Sequence, residues 1–264
     1  MSNNCAKETD INSDDKNFNH KQAIQLRYGA AAIEQEKCLC TPVSFNPAYL
    51  NFIPKEVIEK DYGCGDPTKW VKANDIVLDL GSGSGKNAFI CAQIVGKKGK
   101  VIGVDQNTDM LNLSRNSIKE FSQKTGLQNT EFIEGSIEKL DELDKNKKPI
   151  IRTSSIDIIL SNCVLNLVNP KLRGDLLKNI KRVLKDGGRI AISDIVSNKK
   201  VPNRLKNDPE LWSGCISGAW YEPELISDFK SLGFKNLKFA ERSKEPWKII
   251  EDIEFRTVTI TGNL

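Results

Sequence analysis

VLDLGSGSG, residues Val77 to Gly85, is an apolar run that reaches an acid, Asp79, and then opens into three glycines alternating with serines. Glycine permits a positive φ and lets a ligand approach the backbone, so the stretch reads as the loop leaving the first strand of a nucleotide-binding α/β sheet. The continuation KVIGVD supplies a second strand that ends in Asp105. That acid lies 105 − 85 = 20 residues past Gly85, the spacing at which a carboxylate reaches a ribose hydroxyl pair.

The order G-S-G-S-G is closer to the D/E-x-G-x-G-x-G of S-adenosylmethionine (SAM) methyltransferases than to the G-x-G-x-x-G that seats a pyrophosphate on a helix N-terminus. SAM carries no phosphate. Asp79 would repel a pyrophosphate but can act, directly or through water, on the ammonium of a methionine moiety, so the loop reads as a SAM site and not an NAD site.

Around this loop the chain alternates strands and helices. KNAFICAQIVG is an apolar-faced helix closed by Gly96, and Asn107 or Thr108 caps a helix running to Gly126. TEFIEGS, SSIDIILSNCVLNL and GRIAISDIV hold strands three, four and five, with a glycine-terminated helix between the last two. Such alternation predicts a mostly parallel sheet with helices on both faces. Lys235–Phe239 and Ile253–Ile260 are expected to form a terminal strand pair.

With 264 residues the chain can bury one full core. Residues 1–19, rich in Asn, Asp, Ser and Lys, read as a disordered head, and 20–70 as a helical and proline-broken cover over the sheet. Residues 71–264 form the main domain, with an irregular insert around 200–220. The net charge is 39 − 35 = +4 with lysines scattered along the chain, which excludes a nucleic-acid stripe. No apolar run reaches the roughly 20 residues of a membrane span, and seven cysteines without a secretion signal point to reduced thiols in the cytoplasm.

Those thiols need individual readings. Cys91, inside FICAQIV, is a buried small hydrophobe, and Cys5 in the head is incidental. Cys64 between two glycines reads as a functional thiol, and Cys163 follows strand four at its carboxyl end, where open α/β sheets bind ligands. Cys38 and Cys40 are either half of a zinc site, for which no second C-x₂-C or histidine partner exists, or a thiol-exchange pair. His20 is the only histidine, so histidine-based deprotonation has almost no material.

DYGCGDP, VLDLGSGSG, GKVIGVD, SNCVLNL, RVLKDGG, ISDIV and LWSGCISGAW, in that order, resemble the bacterial arsenite methyltransferases, class I SAM-dependent enzymes. The resemblance implies a class I SAM-methyltransferase (Rossmann-like) fold of seven strands with an antiparallel last strand. It implies that Cys64, Cys163 and Cys215 hold arsenic(III), and that Cys38 and Cys40 return oxidised arsenic to the trivalent state with help from a thioredoxin- or glutathione-type thiol. It implies SAM as the cofactor, with contacts expected from Tyr28, Gly29, Asp79, Gly81, Ser82, Gly83, Asp105, Gln106, Ile137, Glu138 and Asn162. Where the relatives carry adjacent cysteines before a proline, this chain has Cys38 and Cys40 separated by Leu39, and longer relatives continue past the position of Leu264.

Trivalent arsenic is a soft centre with a lone pair, which thiolates suit and carboxylates do not. Three readings follow: a methyltransferase acting on arsenite or methylarsenite as a monomer, a SAM methyltransferase of another small nucleophile, or a non-catalytic arsenic or SAM binder. None of them involves nucleic acid or membrane as partner.

Overall fold

A computed structural model describes residues 20–34, 43–144 and 146–264. Cys38 and Cys40, like residues 1–19, lie outside the described residues. The N-terminal part supplies α1 (His20–Ile33), α2 (Pro47–Leu50) and α3 (Lys55–Glu59). The alternating region follows as β1 (Ile76–Leu80), α4 (Lys86–Val95), β2 (Lys100–Asp105), α5 (Thr108–Thr125), β3 (Thr130–Glu134), β4 (Ile156–Asn162), α6 (Arg173–Val183) and β5 (Leu184–Ser197). The C-terminal part holds α7 (Asn203–Lys206), α8 (Pro209–Ser213), β6 (Trp220–Tyr221), α9 (Glu222–Ser231), β7 (Lys235–Arg242), β8 (Lys248–Ile250) and β9 (Ile253–Asn263).

Seven strands form one path in the order β3-β2-β1-β4-β5-β9-β7. The five strands from β3 to β5 run parallel, and β9 runs antiparallel to both β5 and β7. This is the class I methyltransferase arrangement expected from the sequence. Two short strands were not anticipated: β6 extends β5 at Val196 and Ser197, and β8 folds back on β9.

The helices form where their signals stand. Asn107 caps α5 by accepting the Met110 N–H at 3.0 Å, so one of the orphan donors of the first turn is satisfied by a side chain. In α4 the sequence is apolar almost all round, and Phe89, Ile90, Cys91 and Val95 are buried between the sheet and the N-terminal segment. Burying a side chain of Phe or Ile size contributes about 1.5–3 kcal/mol, so α4 fixes the end of the glycine loop firmly.

Parallel strands all point their carboxyl ends to one edge, and the order reverses between β1 and β4. That edge is where an open α/β sheet leaves a crevice. α1 crosses it, packing on α5 and α8.

Candidate active site

The glycine loop is built by backbone contacts. The N–H groups of Gly81 and Ser82 both donate to Val104 O (2.8 and 3.1 Å), and the Gly83 N–H donates to Asp105 Oδ2 at 2.8 Å. Gly81 has φ 67°, and a Cβ there would overlap Val164, so both its conformation and its space require glycine. Asp105 Oδ1 accepts the Asn107 N–H at 2.8 Å. Burial raises the Asp105 pKa above the usual carboxylate range against the pull of these N–H donors.

A cavity of about 620 Å³ opens above this loop. Tyr28, Gly81, Ser82, Gly83, Asp105, Gln106, Ile137, Glu138 and Asn162 line it, as does Cys163. Of the expected cofactor residues, Gly29 and Asp79 are not in the wall. Gly29 faces Asp109 on α5, and Asp79 is buried in β1. Burial, followed by the charges of Asp61 and Asp105, pushes the Asp79 pKa well up. Its Oδ2 and the Ser82 Oγ are buried without a hydrogen-bond partner. Unpaired buried oxygens under a glycine cradle fit a ligand that brings its own donors, as the ammonium and ribose of SAM do.

The second part of the site is a cluster of thiols. Cys64, Cys163 and Cys215 are all buried and packed into one apolar cluster with Ile195, Val201 and Phe255. Cys163 sits in the middle. The Cys215 Sγ–H donates to Cys163 O at 3.1 Å. The sulfurs of Cys64 and Cys163 and a carboxylate oxygen of Asp194 lie within 4.8 Å of one another, a set to which Cys215 does not belong. The Tyr28 hydroxyl is 3.9 Å from the Cys215 sulfur. Cys163 and Cys215 both have φ 62°, a left-handed conformation in which non-glycine residues are uncommon and which persists only when the surroundings enforce it.

The electrostatics keep Cys163 and Cys215 protonated. For Cys163, hydrogen bonding with Cys215 lowers the pKa, but contact with Cys64 and burial outweigh it and hold the group well above the usual thiol range. Cys215 is raised by its bond to Cys163 and by burial. Asp194, 3% exposed, is pushed up to about 7 by burial, against N–H donation from Ile195, Asn166 and Leu165 and the nearby Arg173 charge.

A family profile described as a methyltransferase domain matches residues 71–245. The chain is 34% identical to the arsenite methyltransferase of Mus musculus over 81% of its length and 57% of that protein's. It is 32% identical to the arsenite methyltransferase of Homo sapiens, over 89% and 65%. An arsenic(III) S-adenosylmethionine methyltransferase from Chlamydomonas reinhardtii superposes with a TM-score of 0.74 at 31% identity, covering 84% of this chain and 74% of that one. The chain belongs to the class I methyltransferase family, among the arsenite methyltransferases. It spans less than two thirds of the length of the mouse and human relatives.

Seen as a member of this family, the chain brings a SAM-type cavity and a thiol cluster to one sheet edge, with Cys163 belonging to both. Two features of the site went unread in the sequence. Asp194 stands in ISDIV, where an acid interrupts an apolar strand, a signal of a buried polar group with a task. Asn166 is 0% exposed and bonds to the backbone of the Cys215 segment, which no local pattern announces. Cys91 is fully buried in α4, away from the thiol cluster. Among the described residues no helix is long and apolar enough to cross a membrane.

Proposed function

We propose that this chain transfers a methyl group from SAM to trivalent arsenic, arsenite or methylarsenite, held by the thiolates of Cys64, Cys163 and Cys215. The observation that carries this reading is the position of Cys163, which lines the cofactor cavity and packs in one buried cluster with the other two cysteines. When bound, SAM supplies an electrophilic methyl on a sulfonium centre. Tyr28, Gly81, Gly83, Asp105, Gln106, Ile137, Glu138 and Asn162 would hold it, with Asp79 acting from beneath the loop.

The thiol cluster loads its substrate without a dedicated base. Each arsenic–sulfur bond forms as a hydroxide on arsenic leaves, taking the thiol proton with it as water, so arsenous acid forms three bonds with release of three waters, methylarsenous acid two with release of two, and the charge balances. Thiols kept protonated are therefore suited to the exchange. Adjacent thiolates would repel one another in a buried site, whereas a three-coordinate soft centre replaces three protons at once. The arsenic lone pair remains as the nucleophile, which carries no proton to remove.

Cys38 and Cys40 fit a thiol-exchange role in which a thioredoxin- or glutathione-type reductant returns arsenic to the trivalent state. A SAM methyltransferase of a carbon, nitrogen or oxygen nucleophile would use a general base beside the cavity, where the carboxylates of Asp61 and Glu138 stand, but Cys163 in that wall joins the cavity to a cluster of thiols, which favours the soft acceptor. Incubating the chain with SAM, a thiol and arsenite and separating the arsenic species tests the reading. Methylated arsenic together with S-adenosylhomocysteine is the expected result. Consumption of SAM only with another acceptor would refute it.

A further inference from the structure

Cys163 is bracketed by two asparagines, Asn162 and Asn166, in the segment SNCVLN. Neither spends its side chain on its own segment. Asn162 Oδ1 accepts the N–H groups of Cys64 (2.9 Å) and Gly65 (3.2 Å), and its Nδ2 donates to Gly65 O at 2.8 Å. The fit is close enough that a Cβ at Gly63 would overlap the Asn162 amide. Asn166 Nδ2 donates to Cys215 O (3.1 Å) and to Ile195 O (2.7 Å), while the Asn166 N–H donates to Asp194 Oδ2 at 3.3 Å. A Cβ at Gly218 would overlap the Asn166 backbone, so the Cys215 segment lies directly against it.

We infer that Asn162 and Asn166 are positioning residues that set the three-thiol geometry, Asn162 by placing Cys64 and Asn166 by placing Cys215 against the central Cys163. The inference rests on the proposed arsenic site and adds how that site is assembled. Cys64 and Cys215 come from segments without regular strand structure, about 100 and 50 residues from Cys163 in sequence. Main-chain bonds within those segments do not tie them to Cys163. Each asparagine offers a donor and an acceptor on a short stem, and each bonds directly at the cysteine it places. Arg173 braces the same region from the other side, donating to Gly218 O and stacking 3.7 Å over the Trp220 ring.

Asn166 does not line the cofactor cavity, so its effect separates from that of SAM binding. The test is X-ray absorption at the arsenic edge on the arsenite-loaded full chain, alongside arsenite and SAM titrations. Wild type is expected to give three arsenic–sulfur bonds. Asn166→Asp keeps the shape but removes both donors, and is expected to give two, with arsenite affinity lower by about 10- to 100-fold and SAM affinity unchanged. Asn162→Leu is expected to lose one sulfur likewise, through Cys64. Asn166→Ser, which keeps one donor, is the gentler variant should Asn166→Asp not fold, and is expected to fall between the two. A folded Asn166 variant with three sulfurs and wild-type arsenite affinity would overturn the inference. Wild type with no arsenic–sulfur shell would overturn the functional reading beneath it instead.

Discussion

The cofactor cavity and the thiol cluster share an edge of one sheet but are held in different ways. The cavity floor is regular: strand, glycine turn and helix, braced by backbone bonds such as Gly81 N–H to Val104 O. The thiol cluster is assembled from three separate segments, with two of its cysteines in left-handed conformations and its spacing set by asparagine side chains. Local sequence builds the first; only the tertiary fold builds the second. The difference predicts that the two can be damaged independently, because the one thiol they share, Cys163, meets the cavity at its wall while the other two lie outside it.

The largest effect expected is on Cys163→Ser. A hard hydroxyl in place of the central soft sulfur should weaken arsenite binding by about 100-fold or more, some 2.7 kcal/mol, while SAM titrates as in wild type. Cys91→Ser, in α4 and away from the cluster, is the control and should leave arsenite affinity unchanged. Equal loss in both variants would mean that thiols act through stability alone.

Asp105→Ala sharpens the comparison from the other side. SAM affinity should fall by about 1.5–3 kcal/mol, the range for a hydrogen bond to a charged group, with arsenite binding intact. Calorimetry on one sample with both ligands reads the two effects together.

Asp79→Asn addresses stability. The Asp79 pKa is raised by burial and by the Asp61 and Asp105 charges. A raised folded-state pKa gives a contribution that is fully present below the unfolded value of 3.8 and is lost as the pH rises through the folded one. The asparagine variant removes that loss, so its denaturation midpoint should exceed that of wild type at neutral pH, with the gap closing near pH 4, while SAM affinity drops. A gap that does not change with pH would show that folding does not raise the Asp79 pKa.

The smallest effect expected is on the first binding event in Cys38→Ser/Cys40→Ser. Arsenite affinity should be retained and repeated methylation reduced, as read from product per enzyme over several turnovers. Loss of the first binding event would move these residues into the primary site.

How much of this was legible in the sequence follows the same division. The strands from Ile76 to Ser197, the cap at Asn107 and the helix around Cys91 announce themselves through periodicity and terminal residues, which are local. The terminal pair of strands was placed, though short of its full extent at Arg242 and Asn263. The two-residue β6 and three-residue β8 were not, since strands that short carry no period to read. Cys64 stood out because of Gly63 and Gly65, and Gly63 proves to make room for Asn162 and Gly65 for Ser193. Asn166 and Asp194 could not be read in the same way. The partners of Asn166 lie 28 to 49 residues away, and the pairing of Asn166 with Asp194 exists only once β4, β5 and the Cys215 segment meet.

The most direct test of the account is a single turnover. Arsenite-loaded protein, mixed with SAM carrying an isotopically labelled methyl group and quenched before a second cycle, should yield label on arsenic in wild type and none in Cys163→Ser, although that variant still binds SAM. Label on arsenic at the wild-type rate in Cys163→Ser, or none in the wild type with both ligands bound, would contradict it.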